Sequence, residues 1–174
     1  LALLIGYTAD CPRAAKSASG STMKAVVYRC YGGPEVLEYA DVPMPVPKED
    51  EVLVKVHAAG VNPLDWHYMR GSPFVMRLMT GIGAPRDASM GRDFAGVVEA
   101  VGEKVTRFKA GDRVFGGANG AFAEYVVRRE IGAITLMPAD VSFEQAAAVP
   151  VAAITALQAL RDSGQLQAGE KVLI

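Results

Sequence analysis

The stretch Gly60-Val61-Asn62-Pro63-Leu64-Asp65-Trp66-His67-Tyr68-Met69-Arg70-Gly71 brings an amide, a carboxylate and an imidazole close together in the chain. The Asn62 amide can both donate to and accept from a bound carbonyl or carboxamide. Its local alternative is the opening of a turn, because Asn-Pro initiates turns. His67 is either a donor that switches near neutral pH or a residue satisfied by local hydrogen bonds. Further along, Arg92 and Asp93 are neighbours. A fixed guanidinium can attract an electron-rich acceptor and steady its reduced anion; the adjacent carboxylate favours an internal ion pair, which is the reading adopted. Thr155 sits in an apolar run, where its hydroxyl either meets a ligand or is satisfied within a helix. The methionine-rich segment 69–79, with Phe74, is expected to pack in the core as a short helix. Its alternatives are an adaptable wall for flat apolar ligands and a short helix lying on a membrane surface.

Two further blocks place these residues in a wider pattern: Gly91-Arg92-Asp93-Phe94-Ala95-Gly96-Val97-Val98 and Gly111-Asp112-Arg113-Val114. With the Gly60–Gly71 block, they resemble the medium-chain dehydrogenase/reductase superfamily in its zinc-free quinone oxidoreductase branch. The resemblance runs from Met23 to the last residue, and segment 69–79 resembles the subgroup of bacterial zinc-free reductases and mitochondrial reticulon-interacting reductases. It implies a GroES-like barrel and puts Asn62, Arg92 and Val151 at the three positions of a catalytic zinc. None suits that metal: asparagine oxygen ligates zinc poorly, arginine repels it and valine offers no donor. The 2 cysteines also rule out a four-cysteine structural zinc loop, so no zinc is expected.

What the resemblance implies chemically is hydride transfer from NADPH or NADH to a quinone or an α,β-unsaturated carbonyl. Such acceptors need less help than an alcohol, whose oxidation draws on a Lewis acid. In this scheme Asn62 meets the nicotinamide carboxamide or the acceptor oxygen, Asp65 orients its neighbours and Thr155 lies beside the nicotinamide ring. His67 becomes a proton donor on the substrate side, although Leu64 replaces the hydroxyl of the family's proton relay. The rivals are a non-catalytic GroES-like binding module and, less well supported, an alcohol dehydrogenase.

The elements that must hold these residues are mainly β. Residues 23–30 and 51–58 are β-rich, and Val52, Val54 and Val56 alternate with Leu53, Lys55 and His57 at the period of a strand. Residues 91–101, 113–115 and 121–127 add strands between glycine turns, a pattern that argues for a barrel. The proline-rich stretch 42–47 reads as an extended surface connector. Ser142-Phe143-Glu144-Gln145 has the serine and glutamine of a capping box, so a helix starts there. Pro150 breaks or restarts it, and residues 151–160 continue as an apolar helix that expects burial on several sides and ends near Gly164.

Residues 1–22 read as a leader, disordered or non-native, and 23–150 as the GroES-like domain. Residues 151–174 read as a bridging helix and the first buried strand of a truncated Rossmann domain. The Gly-x-Gly-x-x-Gly loop that would cradle a pyrophosphate is expected beyond Ile174, which makes the chain a fragment by this reading and inactive alone. The residues that distinguish NADH from NADPH would lie there too.

Of 174 residues, 51% are hydrophobic, enough for one filled domain. Lys+Arg 18 against Asp+Glu 19 gives a net charge of -1, so nothing in the global balance favours nucleic acid or an anionic membrane. Cys11 and Cys30 form no CxxC or Cys/His array and are expected as reduced thiols in a cytoplasmic protein. Leu1 to Ile5 is too short to span a bilayer and lacks the basic flank of a signal peptide. Organelle targeting through Arg13, Lys16 and nearby serines stays open as the alternative. The expected partner is a small quinone or enone, with no nucleic acid, no membrane span and a homodimer in the complete protein.

Overall fold

The computed structural model describes Cys11 and residues 20–173. Most of the leader, and Ile174 of the expected final strand, lie outside the described residues. In chain order the elements are β1 (Thr22–Tyr28), a 3-10 turn (Pro34–Val36), β2 (Leu37–Pro43), β3 (Glu51–Gly60), α1 (Pro63–Arg70), α2 (Val75–Thr80), β4 (Asp93–Val101), β5 (Arg113–Gly117), β6 (Tyr125–Arg129), β7 (Ile134–Leu136), α3 (Phe143–Ala147), α4 (Pro150–Leu157) and a π-helical turn (Gln158–Ser163).

Alternating apolar positions explain the central sheet, an antiparallel array in the order β6-β3-β4-β5-β7. Val52 and Val54 of β3, Phe94 and Val98 of β4, Val114 of β5 and Val126 of β6 turn one face into a common core with Phe108 and Ala121. The β3–β4 register slips between Leu53 and Val54 and between Val56 and Ala58. Such irregularities bend a strand and let the sheet curl around its core. A β1–β2 ribbon closes over this half-barrel. Val26 donates to the Phe122 carbonyl at 2.8 Å, and Tyr28 to the Ala88 carbonyl at 2.9 Å. The mainly β, barrel-type expectation therefore describes the molecule.

α3 begins where the capping box placed it: Ser142 Oγ accepts the Gln145 N–H at 3.2 Å, and Gln145 Oε1 accepts the Ser142 N–H at 3.0 Å. The helix docks through Ala146 and Ala147 onto Ala95 and Phe115, and Phe143 stacks on His57 of β3 at 4.5 Å. Pro150 restarts the chain as α4.

Several expectations need correction. Residues 42 and 43 of the expected connector end β2, because Pro43 terminates an edge ladder without interrupting one. The short strand β7 escaped the sequence because its pairing with β5, not its own pattern, defines it. The apolar helix after Pro150 is not buried on several sides: Ile154 is 50% and Leu157 49% exposed. Residues 171–173, expected as a buried strand, are exposed and belong to no strand, since no described strand lies beside them to supply a ladder. Segment 69–79 does not form one core helix either. Met69 is buried at 4%, but Phe74 and Met79 are 64% and 73% exposed, because Gly71-Ser72-Pro73 divides the segment and turns α2 outward. Finally, Cys11 and Cys30 are not free thiols. They form a disulfide with Cα atoms 5.7 Å apart, since the chain brings Cys11 beside the end of β1, a proximity that spacing in sequence does not reveal.

Candidate functional site

The end of β3 delivers Asn62 to the site. A side chain at Gly60 would overlap the Ala147 carbonyl, so glycine lets β3 pass beneath α3. Asn62 then adopts an extended backbone (φ -123°, ψ 153°) as the N-cap of α1, with Pro63 at the first helical position, where its missing N–H costs nothing. The cap is reciprocal in its backbone and side-chain bonds. Asp65 Oδ2 accepts the Asn62 N–H at 2.8 Å, and the Asn62 carbonyl accepts the Asp65 N–H at 3.0 Å.

Asn62, Asp65 and Asp93 are buried at 8%, 3% and 1% exposure. Asp93 is their hub. Its Oδ2 accepts Asn62 Nδ2–H at 3.1 Å and the Val151 N–H at the start of α4 at 2.9 Å. Thus two of the three positions that the resemblance equates with metal ligands, Asn62 and Val151, converge instead on one carboxylate oxygen. Asp93 Oδ1 is buried without a partner among the described residues. Burial pushes the Asp65 carboxyl above its ordinary range; the Asn62 N–H and the Arg92 guanidinium pull it down, and Asp93 adds to the rise.

Arg92 corrects the expected ion pair. Its guanidinium lies over the Tyr68 ring, 4.0 Å from the centroid, and donates to Asn119 Oδ1. Neighbouring residues on an extended chain face opposite sides, so Arg92 and Asp93 cannot both turn toward Asn62. Gly91 (φ 93°) sets up this placement in a left-handed turn, and the Arg92 carbonyl accepts the Ala118 N–H at 2.8 Å. Beside Arg92 opens a cleft of ≈ 230 Å³ lined by Tyr28, Tyr68, Met79, Arg86, Asp87 and Ser89. Ser89 Oγ donates to Asp87 Oδ1 at 2.6 Å, and Asn119 Nδ2 to Asp87 Oδ2 at 3.3 Å, which fixes one wall. Burial pushes the Tyr28 hydroxyl up to about 12, opposed by Arg92.

The other two sequence candidates share no hydrogen bond with the Asn62–Asp93 cluster among the described residues. His67 Nδ1 is 2.6 Å from the Ser72 carbonyl; a carbonyl only accepts, so Nδ1 carries the hydrogen and Nε2 is the free ring nitrogen. Its ring meets Trp66 edge-on, with centroids 4.7 Å apart. Thr155 is exposed on α4. Sequence reasoning assigned Asp93 to Arg92 and passed over Tyr68 and Asn119. The adjacency of Asp93 to a cation masked its part in the Asn62 cluster.

Among the described residues, no group of three or more His, Cys, Asp or Glu side chains gathers to hold a metal ion. For a nicotinamide, the fitting feature is the Asn62 amide: with Nδ2 given to Asp93, Oδ1 is the atom left to accept from a carboxamide. The sequence carries no Gly-x-Gly-x-x-Gly.

Comparison with known proteins agrees with this architecture. Residues 48–139 match the family described as "Alcohol dehydrogenase GroES-like domain". A quinone oxidoreductase of Sus scrofa is 41% identical over 155 residues, covering 87% of this chain and 45% of that protein. The solved quinone oxidoreductase of Coxiella burnetii superposes with a TM-score of 0.76 at 36% identity, over 85% of this chain and 47% of that one. The Escherichia coli quinone oxidoreductase, solved in complex with NADPH, gives a TM-score of 0.70 at 32% identity over 80% of this chain and 41% of its own. The chain thus spans about 45% of the length of the relatives it matches. A curled sheet whose strand β3 ends in a capped asparagine bonded to a buried aspartate, matched over more than half the chain by that domain, belongs to the alcohol dehydrogenase GroES-like domain family.

Proposed function

We propose that this chain is the acceptor-side domain of an NAD(P)H-dependent oxidoreductase that reduces quinones or α,β-unsaturated carbonyls. The observation that carries the reading is the anchoring of the buried Asn62 amide on Asp93, in a chain whose relatives are quinone oxidoreductases; the cleft at Arg92 is lined by other residues. A bound nicotinamide supplies the hydride. Asn62 Oδ1 accepts from the carboxamide and sets the ring, and Asp65 holds the Asn62 backbone. Arg92, steadied on Tyr68, draws in the electron-rich acceptor and stabilises charge on its oxygen. His67 returns the proton through Nε2, which donates only in the imidazolium form because Nδ1 is committed to Ser72. Thr155 is the residue assigned to the nicotinamide face of α4.

NADPH is the proposed donor, in line with the complex of the Escherichia coli relative, and NADH the alternative. The reaction is read as independent of zinc on the donor chemistry of Asn62, Arg92 and Val151. A homodimer is the proposed assembly. The Cys11–Cys30 disulfide removes the thiol argument for a cytoplasmic location and favours a compartment in which a disulfide persists. Assaying the intact protein with each nicotinamide against a quinone and enone panel tests the reading. Oxidation of the cofactor by at least one acceptor is expected, and none across the panel overturns it.

A further inference from the structure

Between Trp66 and Arg86 the sequence contains Arg70, Arg77 and Arg86 but no aspartate or glutamate, in a chain with 19 acidic residues. The whole-chain balance conceals this local bias. The same stretch forms the end of α1, all of α2 and the loop after it, and it exposes Phe74 at 64%, Val75 at 58%, Leu78 at 59%, Met79 at 73% and Ile82 at 64%. A short helix ordinarily docks by its apolar face. α2 does the reverse. It is held down by polar contacts: the Tyr31 hydroxyl is 2.6 Å from both Thr80 Oγ1 and the Gly81 carbonyl. Arg77 Nε donates to the Gly71 carbonyl at 3.1 Å, with its guanidinium 4.6 Å from the Tyr31 ring centroid. The apolar side chains are left pointing outward as one contiguous tip.

The acidic groups that approach this tip from neighbouring elements are occupied. Glu35 Oε1 accepts the Gly33 N–H at 2.8 Å, and Asp87 is bonded to Ser89 and Asn119. Arg70 and Arg86 are exposed, and Arg70 lies 4.9 Å from the ring centroid of Trp66, itself 45% exposed. Apolar side chains at a tip, an exposed tryptophan and flanking arginines that form no salt bridge among the described residues, Arg70 sharing a cleft with Glu35, are the chemistry of an interfacial anchor. No helix among the described residues is long and apolar enough to cross a membrane, so the contact is with the surface.

We propose that the α1–α2 tip docks on an anionic lipid bilayer, with Phe74, Val75, Leu78, Met79 and Ile82 in the headgroup boundary and Arg70 and Arg86 against acidic headgroups. Met79 also borders the Arg92 cleft, so docking would open that cleft beside the lipid. The proposal stands apart from the redox reading: reductase activity without lipid binding overturns this inference and leaves the proposed function intact.

The test is sedimentation of the intact protein with vesicles of phosphatidylcholine alone and of equal parts phosphatidylcholine and phosphatidylglycerol. Binding is expected to the mixed vesicles only and to weaken with added salt. A Phe74→Ser/Leu78→Ser variant should lose about tenfold or more in partition, and Arg70→Gln should lose binding to mixed vesicles while its circular dichroism matches that of the parent. Absence of binding, or binding that both variants leave unchanged, overturns the proposal. Concentration-dependent self-association abolished by Phe74→Ser/Leu78→Ser, without vesicle binding, also overturns it by assigning the tip to a second copy of the chain.

Discussion

Asp93 Oδ2 takes hydrogens from Asn62 Nδ2 and from the Val151 backbone, so one buried carboxylate fastens the end of β3 to the start of α4. Removing it leaves a buried amide and a part-buried N–H without their acceptor. Asp93→Ala should therefore lower stability by about 2–4 kcal/mol, read from urea midpoints; a loss below about 1 kcal/mol would mean the two donors find other partners. Asp65 supplies a prediction with a pH sign. Burial raises its pKa, so the folded chain holds that proton more tightly than the unfolded chain. The resulting stabilisation is fully present below the unfolded carboxylate range and is lost as pH rises through the folded pKa. Asp65→Asn keeps an oxygen for the Asn62 N–H but has no such proton. Relative to the parent, the variant should gain stability on moving from acid to neutral pH, and a relative loss over that interval would contradict the assignment. At this scale the sequence revealed which groups have useful chemistry, but not their directions. The side chains of Arg92 and Asp93 part because of backbone geometry, and no residue identity records that.

Elements defined by their own residues were legible, and those defined by a neighbour were not. The Ser142 and Gln145 cap is local, so four residues sufficed to place the start of α3. Ser142→Ala should cost about 1 kcal/mol, measured by chemical denaturation; an unchanged midpoint would show that packing of Phe143 on His57 holds the helix without its cap. Strands β3 and β4 were legible from alternating valines and an apolar run. β7 depends on pairing with β5, and the slips in the β3–β4 ladder depend on two strands at once. α2 is the sharper case. Its methionines and Phe74 read as core, whereas the contacts that seat it are polar ones, from the distant Tyr31 and from its own Arg77.

Across the whole molecule, cohesion falls from the central sheet toward the last described residues. β3 is paired on both sides, by β4 and β6, and β4 by β3 and β5, over a core that includes Val52, Val54, Phe94 and Val114 at 0% exposure. Beyond Pro150 the side chains are mostly exposed, and residues 158–173 have no buried member. Their backbone bonds are local ones, such as Gly164 to the Ala159 carbonyl at 2.8 Å and Leu166 to the Leu160 carbonyl at 3.0 Å. Local bonds without a buried face open with little free energy, whereas central strands open only when the whole domain does. Hydrogen exchange on the 174-residue chain should accordingly find β3 and β4 amides the slowest and those of 158–173 fast. The Val151 amide should stand between them, slowed by its bond to Asp93 and released in Asp93→Ala. Protection of 158–173 equal to that of β3 would mean that this segment finds a packing partner in solution, and an equally slow Val151 amide in Asp93→Ala would remove the carboxylate as the tie between barrel and helix.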